Sequence, residues 1–378
     1  MISRKAKYVH IIWHPDLKFI PKLIKMINEK KEYFNEKDHL FITPHKRVYD
    51  ELSKTYEIYL CGNENENLIN KYGEYGEWII VHAINCSKLT LCSTKKKYAR
   101  KVIWRTWGHD IRPYNYYEYH GLKKIAFYLL WKQYVRKVRQ FHMIAVANDI
   151  DLVNVVSAFG EVPNGILGYG YDAVKDKILE KYQKRRVITD RENIRILIGH
   201  SASVWDCHID VMKSLLKYKD ENITICLILS YAGTEEYVRE VKNFAKQNYG
   251  NKVEIIDQFM GYEEYVEYLS TIDIGIFAQT HSTALSNVSW LLYFGKTIYF
   301  KENSDFAKSF IRNHCKFCKV EDIENMDFEE FSKCKNSEKL MKKYGVIATS
   351  EDCCINWKKF LDGLDNKNYI TYRSGKEK

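Results

Sequence analysis

The feature that most constrains the fold of this chain is a repeated alternation of short apolar runs with segments of helical length. The first half has six such runs, at 8–13, 39–42, 57–60, 78–81, 102–104 and 143–146. Five more follow, at 194–198, 223–229, 253–256, 272–277 and 297–300. Strands that alternate with helices form mostly parallel sheets with helices on their faces. The sequence therefore predicts an α/β fold made of two consecutive βα arrays.

A charged segment at 181–192 separates the two arrays and reads as a linker. At 378 residues the chain is long for one hydrophobic core, so two domains are expected. We predict two facing Rossmann-like domains with a cleft between them, spanning 1–180 and 192–345. The remaining residues, 346–378, are predicted to contain an amphipathic helix that returns to the first domain.

Composition narrows the partners of the chain. The formal net charge of +10 favours an anionic partner, such as nucleic acid, an anionic membrane surface or a nucleotide diphosphate. No nucleic-acid motif is recognised, so we expect no nucleic-acid partner. The sequence shows neither a membrane-spanning run nor a signal peptide.

Ten scattered cysteines indicate a reducing cytosol. His314, Cys315 and Cys318, with Cys334 as a distant fourth, are either zinc ligands or ordinary residues with buried thiols, and no second paired motif supports zinc.

Residues 104–110 (Trp-Arg-Thr-Trp-Gly-His-Asp) follow an apolar strand and end in two groups that transfer protons. The carboxyl ends of strands are where open α/β sheets bind ligands. Tryptophans and an arginine there suit a cleft for a planar or hydroxylated ligand. The alternative is a Gly-Asp turn that caps the next helix, and the motif leaves both interpretations open.

Two segments of the second array suit a phosphate group. Residues 199–203 (Gly-His-Ser-Ala-Ser) follow its first strand, and residues 279–287 lead from a later strand into a helix. Small residues, hydroxyls and helix N-termini bind phosphate well. Ordinary Ser/Thr helix caps are the alternative. Between these two segments, in residues 257–265, Phe259 or Tyr262 could flank a pyrimidine ring. The acids Glu263 and Glu264 could have no other role than to complement the partial positive charge at a helix N-terminus.

Two further segments have two interpretations each. The Asp-x-Asp at 149–151 resembles a metal–nucleotide motif, but an acidic cap on the helical run 152–159 is favoured. Residues 121–140 contain six Lys and Arg and no acid, with apolar positions at helical spacing. That helix either lies on an anionic bilayer or is a domain helix with a solvated basic face. Because its first half is apolar nearly all round, we expect that half to be partly buried.

In motif and order the chain resembles glycosyltransferase family 56, the TDP-4-acetamido-4,6-dideoxygalactose transferases of enterobacterial common antigen synthesis, also termed the 4-alpha-L-fucosyltransferase family. The resemblance spans most of residues 8–300. The matching positions are Trp104, Trp107, Gly108 and Asp110; His82 and loosely Asn85, with Ala83 in place of a glycine; Gly199, Ser201 and His208; Tyr231, Phe259 and Tyr265; and Asp273, Gly275 and Phe277. The segment 281–287 departs from the family pattern, so the donor sugar is left open.

The resemblance implies a GT-B enzyme, an architecture that the double array also suits, which moves a sugar from a TDP- or UDP-linked donor to a lipid-diphosphate-linked glycan. The first domain would bind the acceptor and the second the donor, at the inner face of the plasma membrane. We expect no cofactor and no metal. The candidate catalytic residues are Asp110, as general base, and His82 or His109. Candidate acceptor-binding residues are His14, Trp104, Arg105 and Trp107. The candidate donor-binding residues are Gly199, His200, Ser201, Tyr231, Phe259, Tyr262, Glu264, Ser282, Thr283, Ser286 and Asn287.

The same double array serves other proteins. A nucleotide-sugar epimerase and a polysaccharide pyruvyltransferase are the alternative enzymes, and a non-catalytic basic peripheral membrane protein is the alternative without catalysis. Segments near His14 and Asp16 and at 115–118 are too dissimilar from the family to name an acceptor.

Overall fold

A computed structural model describes the chain except for residues 1, 3, 16, 18, 112–119, 161, 163, 168–177, 179–180, 182–192 and 367–378. The chain divides into two compact units. Unit 1 comprises Met1–Ala173 with Ser350–Lys378, and unit 2 comprises Val174–Thr349. Most of the predicted linker, together with Asp16 and the segment 115–118, lies outside the described residues.

Unit 1 is built on a parallel sheet of seven strands in the order β3-β2-β1-β4-β5-β6-β7. These are β1 (Ala6–Ile12), β2 (His39–Thr43), β3 (Ile58–Leu60), β4 (Gly76–His82), β5 (Val102–Arg105), β6 (Met143–Val146) and β7 (Asn164–Ile166). The six predicted strands are confirmed. The sequence does not predict β7, because Asn-Gly-Ile contains no apolar run.

Unit 2 is built on a parallel sheet of six strands in the order β10-β9-β8-β11-β12-β13. These are β8 (Ile194–Ile198), β9 (Ile223–Ile228), β10 (Val253–Ile256), β11 (Ile274–Phe277), β12 (Thr297–Phe300) and β13 (Cys318–Lys319). The five predicted strands are confirmed, and the two-residue β13 is too short to leave a pattern. Both halves therefore have the predicted α/β organisation.

Helices connect the strands of both sheets. In unit 1 they are α1 (Ile20–Glu29), α2 (Lys46–Leu52), α3 (Leu68–Tyr72), α4 (Lys88–Cys92), α5 (Lys96–Ala99), α6 (Gly121–Val138) and α7 (Asp149–Phe159). In unit 2 they are α8 (His208–Ser214), α9 (Glu235–Tyr249), α10 (Tyr262–Ser270), α11 (Leu285–Tyr293), α12 (Asp305–Arg312), α13 (Phe328–Lys333) and α14 (Glu338–Tyr344). The last helix, α15 (Ser350–Asn366), belongs to unit 1. Among the described residues, no helix is both long and apolar enough to cross a membrane.

Both faces of the unit 1 sheet are covered. Side chains of a strand alternate between the two faces of its sheet, so neighbouring residues belong to different clusters. Val9 and Ile11 of β1 belong to one buried cluster, and Tyr8 and Ile12 belong to another. The second cluster also contains Trp357 of α15. The C-terminal helix therefore contributes directly to the core of unit 1.

Three expectations need correction. The N-cap of α7 is Asn148, whose side chain accepts hydrogen bonds from the backbone N–H groups of Ile150 and Asp151 at 3.0 Å each, whereas an aspartate was expected. An amide oxygen caps a helix as well as a carboxylate does. In the first half of α6 only Phe127 and Leu130 are half-buried and the other residues are exposed, so this half is less buried than the sequence predicts. Cys318 and Cys334 are joined by a disulfide, so they are neither ordinary buried thiols nor zinc ligands.

Candidate functional site

The carboxylate of Asp110 joins three segments at the carboxyl ends of β4 and β5. Its Oδ2 accepts hydrogen bonds from the indole Nε1 of Trp104 at 2.8 Å and from the backbone N–H of Ile84 at 3.2 Å. Its Oδ1 accepts one from the backbone N–H of Trp107 at 2.8 Å. A carboxylate has about four acceptor positions, so roughly one stays open for a proton or a ligand. Asp110 thus organises this corner of the sheet.

The residues around Asp110 differ in their access to solvent. Trp104 is fully buried in the core and Arg105 is nearly so, with its guanidinium donating to the carbonyl of Thr106 at 2.6 Å. His14 and Trp107 are half-buried, and their rings lie 5.3 Å apart. The structure therefore brings His14 and Trp107 together at the surface, while Trp104 supports Asp110 from behind. His109 lies in the 3₁₀ turn His109–Ile111, and its side chain lies outside the described residues.

Ala83, which follows β4, adopts a left-handed backbone conformation with φ of 51°. This conformation favours glycine, the residue that the related motif has at this position. The turn directs the N–H of Ile84 toward Asp110, while the N–H of Ala83 donates to the carbonyl of Arg105 at 3.0 Å. The loops after β4 and β5 are therefore fixed to each other.

His82 belongs to a buried chain of three histidines that crosses the sheet. Nε2 of His82 is 3.0 Å from Nδ1 of His10, and Nε2 of His10 is 2.9 Å from Nδ1 of His39. Burial, followed by the charge of Arg105, lowers the pKa of His82 to about 3, and burial followed by Arg4 and Lys7 lowers that of His39 to about 3. The pKa of His10 is also lowered, by burial first. All three rings are therefore neutral at pH 7, and His10 must donate to one neighbour and accept from the other.

In unit 2, the loop after β8 closes around the buried carboxylate of Asp206. Its Oδ2 accepts from the backbone N–H groups of His200 and Ser201, at 3.3 and 3.0 Å, and from the hydroxyl of Ser201 at 2.8 Å. Its Oδ1 accepts from Nδ1 of His200 at 3.1 Å. Burial tends to raise the pKa of Asp206, but the hydrogen bonds from His200 and Ser201 and the neighbouring His208 hold it below its usual value.

This arrangement changes the interpretation of the loop. The backbone N–H groups of His200 and Ser201, which the sequence offers to a phosphate, are bonded to a carboxylate of the chain itself. Gly199 has a φ of 66°, and a Cβ there would lie 2.7 Å from Cβ of Asp206, so only glycine fits. Asp206 leaves no recognisable signal in the sequence, since it lies in a short 3₁₀ turn rather than at a strand end.

The segment before α11 presents a different kind of anion site. The N-cap residue Ala284 has a φ of 66°, and its side chain forms no hydrogen bond to the first turn of α11. Nearby, the N–H of Ser282 donates to Asp305 at 3.2 Å, and that of Thr283 to the carbonyl of His281 at 2.8 Å. Helix N-termini attract anions.

Two contacts position the loops around this helix. The side chain of Asn287 donates to the hydroxyl of Tyr265 at 2.6 Å, which links α11 to α10. The rings of Trp205 and His281 lie 5.7 Å apart, which links the loop after β8 to the loop after β11. The loops that follow β8 and β11, two strands that pair directly, are therefore in contact with each other.

Gln279, two residues beyond β11, is a site residue that the sequence does not single out. Its side chain is 1% exposed, and neither its Nε2 nor its Oε1 has a hydrogen-bond partner among the described residues. A buried amide without partners costs about 1–3 kcal/mol of stability. Such groups are rare in native proteins and mark places where something else binds.

The remaining donor candidates lie at the ends of β9 and β10. Tyr231 is exposed and its ring lies 6.3 Å from that of His200, while Phe259 is largely exposed. Tyr262 is the first residue of α10. The side chain of Glu264 accepts a hydrogen bond from the backbone N–H of Gly261 at 3.3 Å, so this acid caps the N-terminus of the helix. Among the described residues, no group of three or more His, Cys, Asp and Glu has the arrangement of a metal site.

Comparison with known proteins agrees with this architecture. The family described as 4-alpha-L-fucosyltransferase, glycosyl transferase group 56, matches residues 69–362, more than half of the chain. A glycosyltransferase from Rickettsia africae has a similar structure (TM-score 0.57, 12% identity, covering 96% of this chain and 97% of that one). Anabaena Alr3699/HepE in complex with UDP is also similar (TM-score 0.59, 12% identity, 96% and 100% covered), as is the UDP-forming trehalose-phosphate synthase of Burkholderia xenovorans (0.56, 9%, 96% and 99%). These likenesses show the fold, that of the GT-B glycosyltransferases.

Proposed function

Because this chain belongs to the 4-alpha-L-fucosyltransferase family, glycosyl transferase group 56, and is therefore a glycosyltransferase, we propose that it uses a TDP- or UDP-linked sugar as donor. The acceptor in this proposal is a lipid-diphosphate-linked glycan of bacterial surface polysaccharide synthesis, at the inner face of the plasma membrane. The Anabaena protein of the same fold is described in complex with UDP and with UDP-glucose, which supports a nucleotide diphosphate sugar.

The donor is assigned to unit 2. The observation that carries this assignment is the buried amide of Gln279, which has no partner among the described residues and lies in the loop that leads to the N-terminus of α11, where the N-cap side chain forms no hydrogen bond. The positive end of the helix and the hydroxyls of Thr283 and Ser286 would neutralise the diphosphate leaving group without a divalent ion. The exposed rings of Tyr231 and Phe259 offer surfaces for the base.

The acceptor is assigned to unit 1, with Asp110 as general base. Its remaining acceptor position can take the proton of an acceptor hydroxyl, while the three existing hydrogen bonds fix its orientation. His14 and Trp107 would form the acceptor surface, and Trp104 would act through Asp110. His109 is the second candidate for the base, because His82 is fully buried and hydrogen-bonded to His10, out of reach of an acceptor.

Calorimetry with UDP and TDP tests the donor assignment. Ser286→Ala should weaken binding about tenfold or more, since a hydrogen bond to a charged group contributes about 1.5–3 kcal/mol. Ser332→Ala on α13 is the matched control and should leave affinity unchanged. Absence of UDP and TDP binding by the native protein would contradict the donor proposal.

Asp110→Asn tests the base. It should abolish sugar transfer to a lipid extract and leave nucleotide affinity intact. Both oxygens of Asp110 accept hydrogen bonds, and asparagine replaces one of them with an NH2 group that would face a donor. The variant should therefore also lose about 1–3 kcal/mol of folding stability. Equal loss of nucleotide binding and transfer would make Asp110 structural. Isomerisation of the donor sugar without acceptor would instead favour an epimerase.

A further inference from the structure

Helix α6 has two apolar stripes, and only one of them is used by the fold. Tyr134 and Val138 are buried in the core of unit 1, and Trp131 packs against it. On the opposite side, Leu122, Ile125 and Leu129 are 84%, 57% and 54% exposed. Positions separated by three and seven residues lie on one face of a helix. The exposed leucines and isoleucine therefore form a continuous second stripe.

Exposed cations accompany this second stripe. At about 100° of rotation per residue, Lys132 and Arg136 lie on the same side of the helix as the stripe, whereas Lys123 and Lys124 lie towards the opposite side. The ammonium of Lys132 lies 4.5 Å from the ring centre of Tyr128. No Asp or Glu occurs between residues 121 and 140, so every charged side chain of this helix is positive.

The short helix α4 packs against α6 on the side of its buried stripe. The ammonium of Lys88 lies 5.3 Å from the ring centre of Tyr134, and the carbonyl of Thr94 accepts a hydrogen bond from Lys137 of α6 at 2.6 Å. We call the surface formed by Leu122, Ile125 and Leu129 with Lys132 and Arg136 the α6 surface.

We propose that the α6 surface docks unit 1 onto a bilayer of anionic phospholipids. Aliphatic side chains that are exposed to water are stabilised when they enter the acyl boundary, and Lys132 and Arg136 beside them would meet the lipid phosphates. A basic protein surface for nucleic acid or for an acidic polypeptide needs the cations but not the exposed leucines. The combination therefore selects a lipid surface.

This inference rests on the proposed function in one respect, that a lipid-linked acceptor lies in such a bilayer. Docking through α6 would hold unit 1 at the membrane surface, where the diphosphate-linked glycan is presented. Vesicle binding is measured without donor or acceptor, and UDP binding is measured without vesicles. Failure of one therefore does not imply failure of the other.

The test is co-sedimentation of the full-length chain with vesicles of phosphatidylcholine alone and of phosphatidylcholine mixed with phosphatidylglycerol. We expect binding only to the anionic vesicles. The triple variant Leu122→Ser/Ile125→Ser/Leu129→Ser should lose it. Replacing Lys132 and Arg136 by Gln should weaken binding about fivefold per residue, since each contributes about 1 kcal/mol near an anionic surface.

Matched controls lie in unit 2. Ile311→Ser changes an isoleucine that is 57% exposed, as Ile125 is, and Lys342→Gln changes an exposed lysine of α14. Both should bind vesicles as the native chain does, and all variants should keep UDP affinity and the native thermal transition. The proposal is overturned if the native chain does not bind anionic vesicles, or if the serine variant binds them undiminished. It is also overturned if polyuridylate or polyglutamate competes fully with the vesicles.

Discussion

The two units bury polar side chains in different ways. In unit 1, the buried rings of His39, His10 and His82 are hydrogen-bonded in a chain across the sheet. In unit 2, Gln279 is equally buried, yet its amide has no partner among the described residues. A polar group that the fold satisfies contributes to the scaffold, whereas one that the fold leaves unsatisfied costs stability and is available to a ligand.

Asp206 shows that position in the sequence does not decide between these two cases. It lies beside a loop predicted to bind phosphate, but its carboxylate already occupies the N–H groups of His200 and Ser201. The contrast is therefore between satisfied and unsatisfied groups, and a strand end in either unit can hold both. Substitutions of individual groups test this contrast.

The largest expected effect is acid destabilisation of unit 1. The buried histidines have pKa values lowered from 6.5, to about 3 for His39 and His82, so the unfolded chain binds more protons below pH 6.5. Stability should therefore fall as pH drops from 6.5 toward 3, by on the order of 5 kcal/mol for His82 alone. Hydrogen–deuterium exchange at pH 7 and pH 5, corrected for the intrinsic exchange rate, measures this loss separately in each unit.

A variant of the central histidine gives the control for this pH dependence. His10→Gln removes one titrating ring and should make the dependence shallower, although the variant is less stable at pH 7. His120→Gln changes an exposed histidine of the same unit and should not alter it. A pH dependence of unit 1 that is the same in His10→Gln as in the native chain would contradict the assignment of the effect to the histidine chain.

The sequence predicts the strand arrays because apolar periodicity determines them, and this information is local. It could not predict that His10 and His39 meet His82, since these rings become neighbours only through the register of β1 with β2 and β4. The burial of Trp104 has the same origin. From the sequence, a tryptophan at a strand end is equally consistent with a core residue and with a ligand-binding residue. The packing of Phe141 and Phe159 against the ring of Trp104 shows that it is a core residue.

Gln279→Met gives the next largest effect and addresses the unsatisfied member of the comparison. Methionine has a similar volume and no buried donor, so the ligand-free protein should gain about 1–3 kcal/mol of folding stability. If the amide serves the donor, UDP and TDP affinity should fall at the same time. Chemical denaturation and calorimetry measure the two changes, and Gln247→Met on the exposed side of α9 should produce neither. A destabilised ligand-free variant would show that Gln279 is satisfied by its own fold.

The smallest effect compares the same backbone strain in the two units. Ala83 and Ala284 both adopt left-handed conformations, with φ of 51° and 66°, which glycine relieves. Ala284 is half-buried, so Ala284→Gly should stabilise unit 2 by about 0.5–1 kcal/mol. Ala83 is fully buried, and losing its methyl group costs about 0.8 kcal/mol, so Ala83→Gly should change stability very little. Denaturant titration of the two variants resolves the difference. A clear gain at Ala83 would mean that its methyl group packs poorly, and that the corner held by Asp110 is looser than its hydrogen bonds indicate.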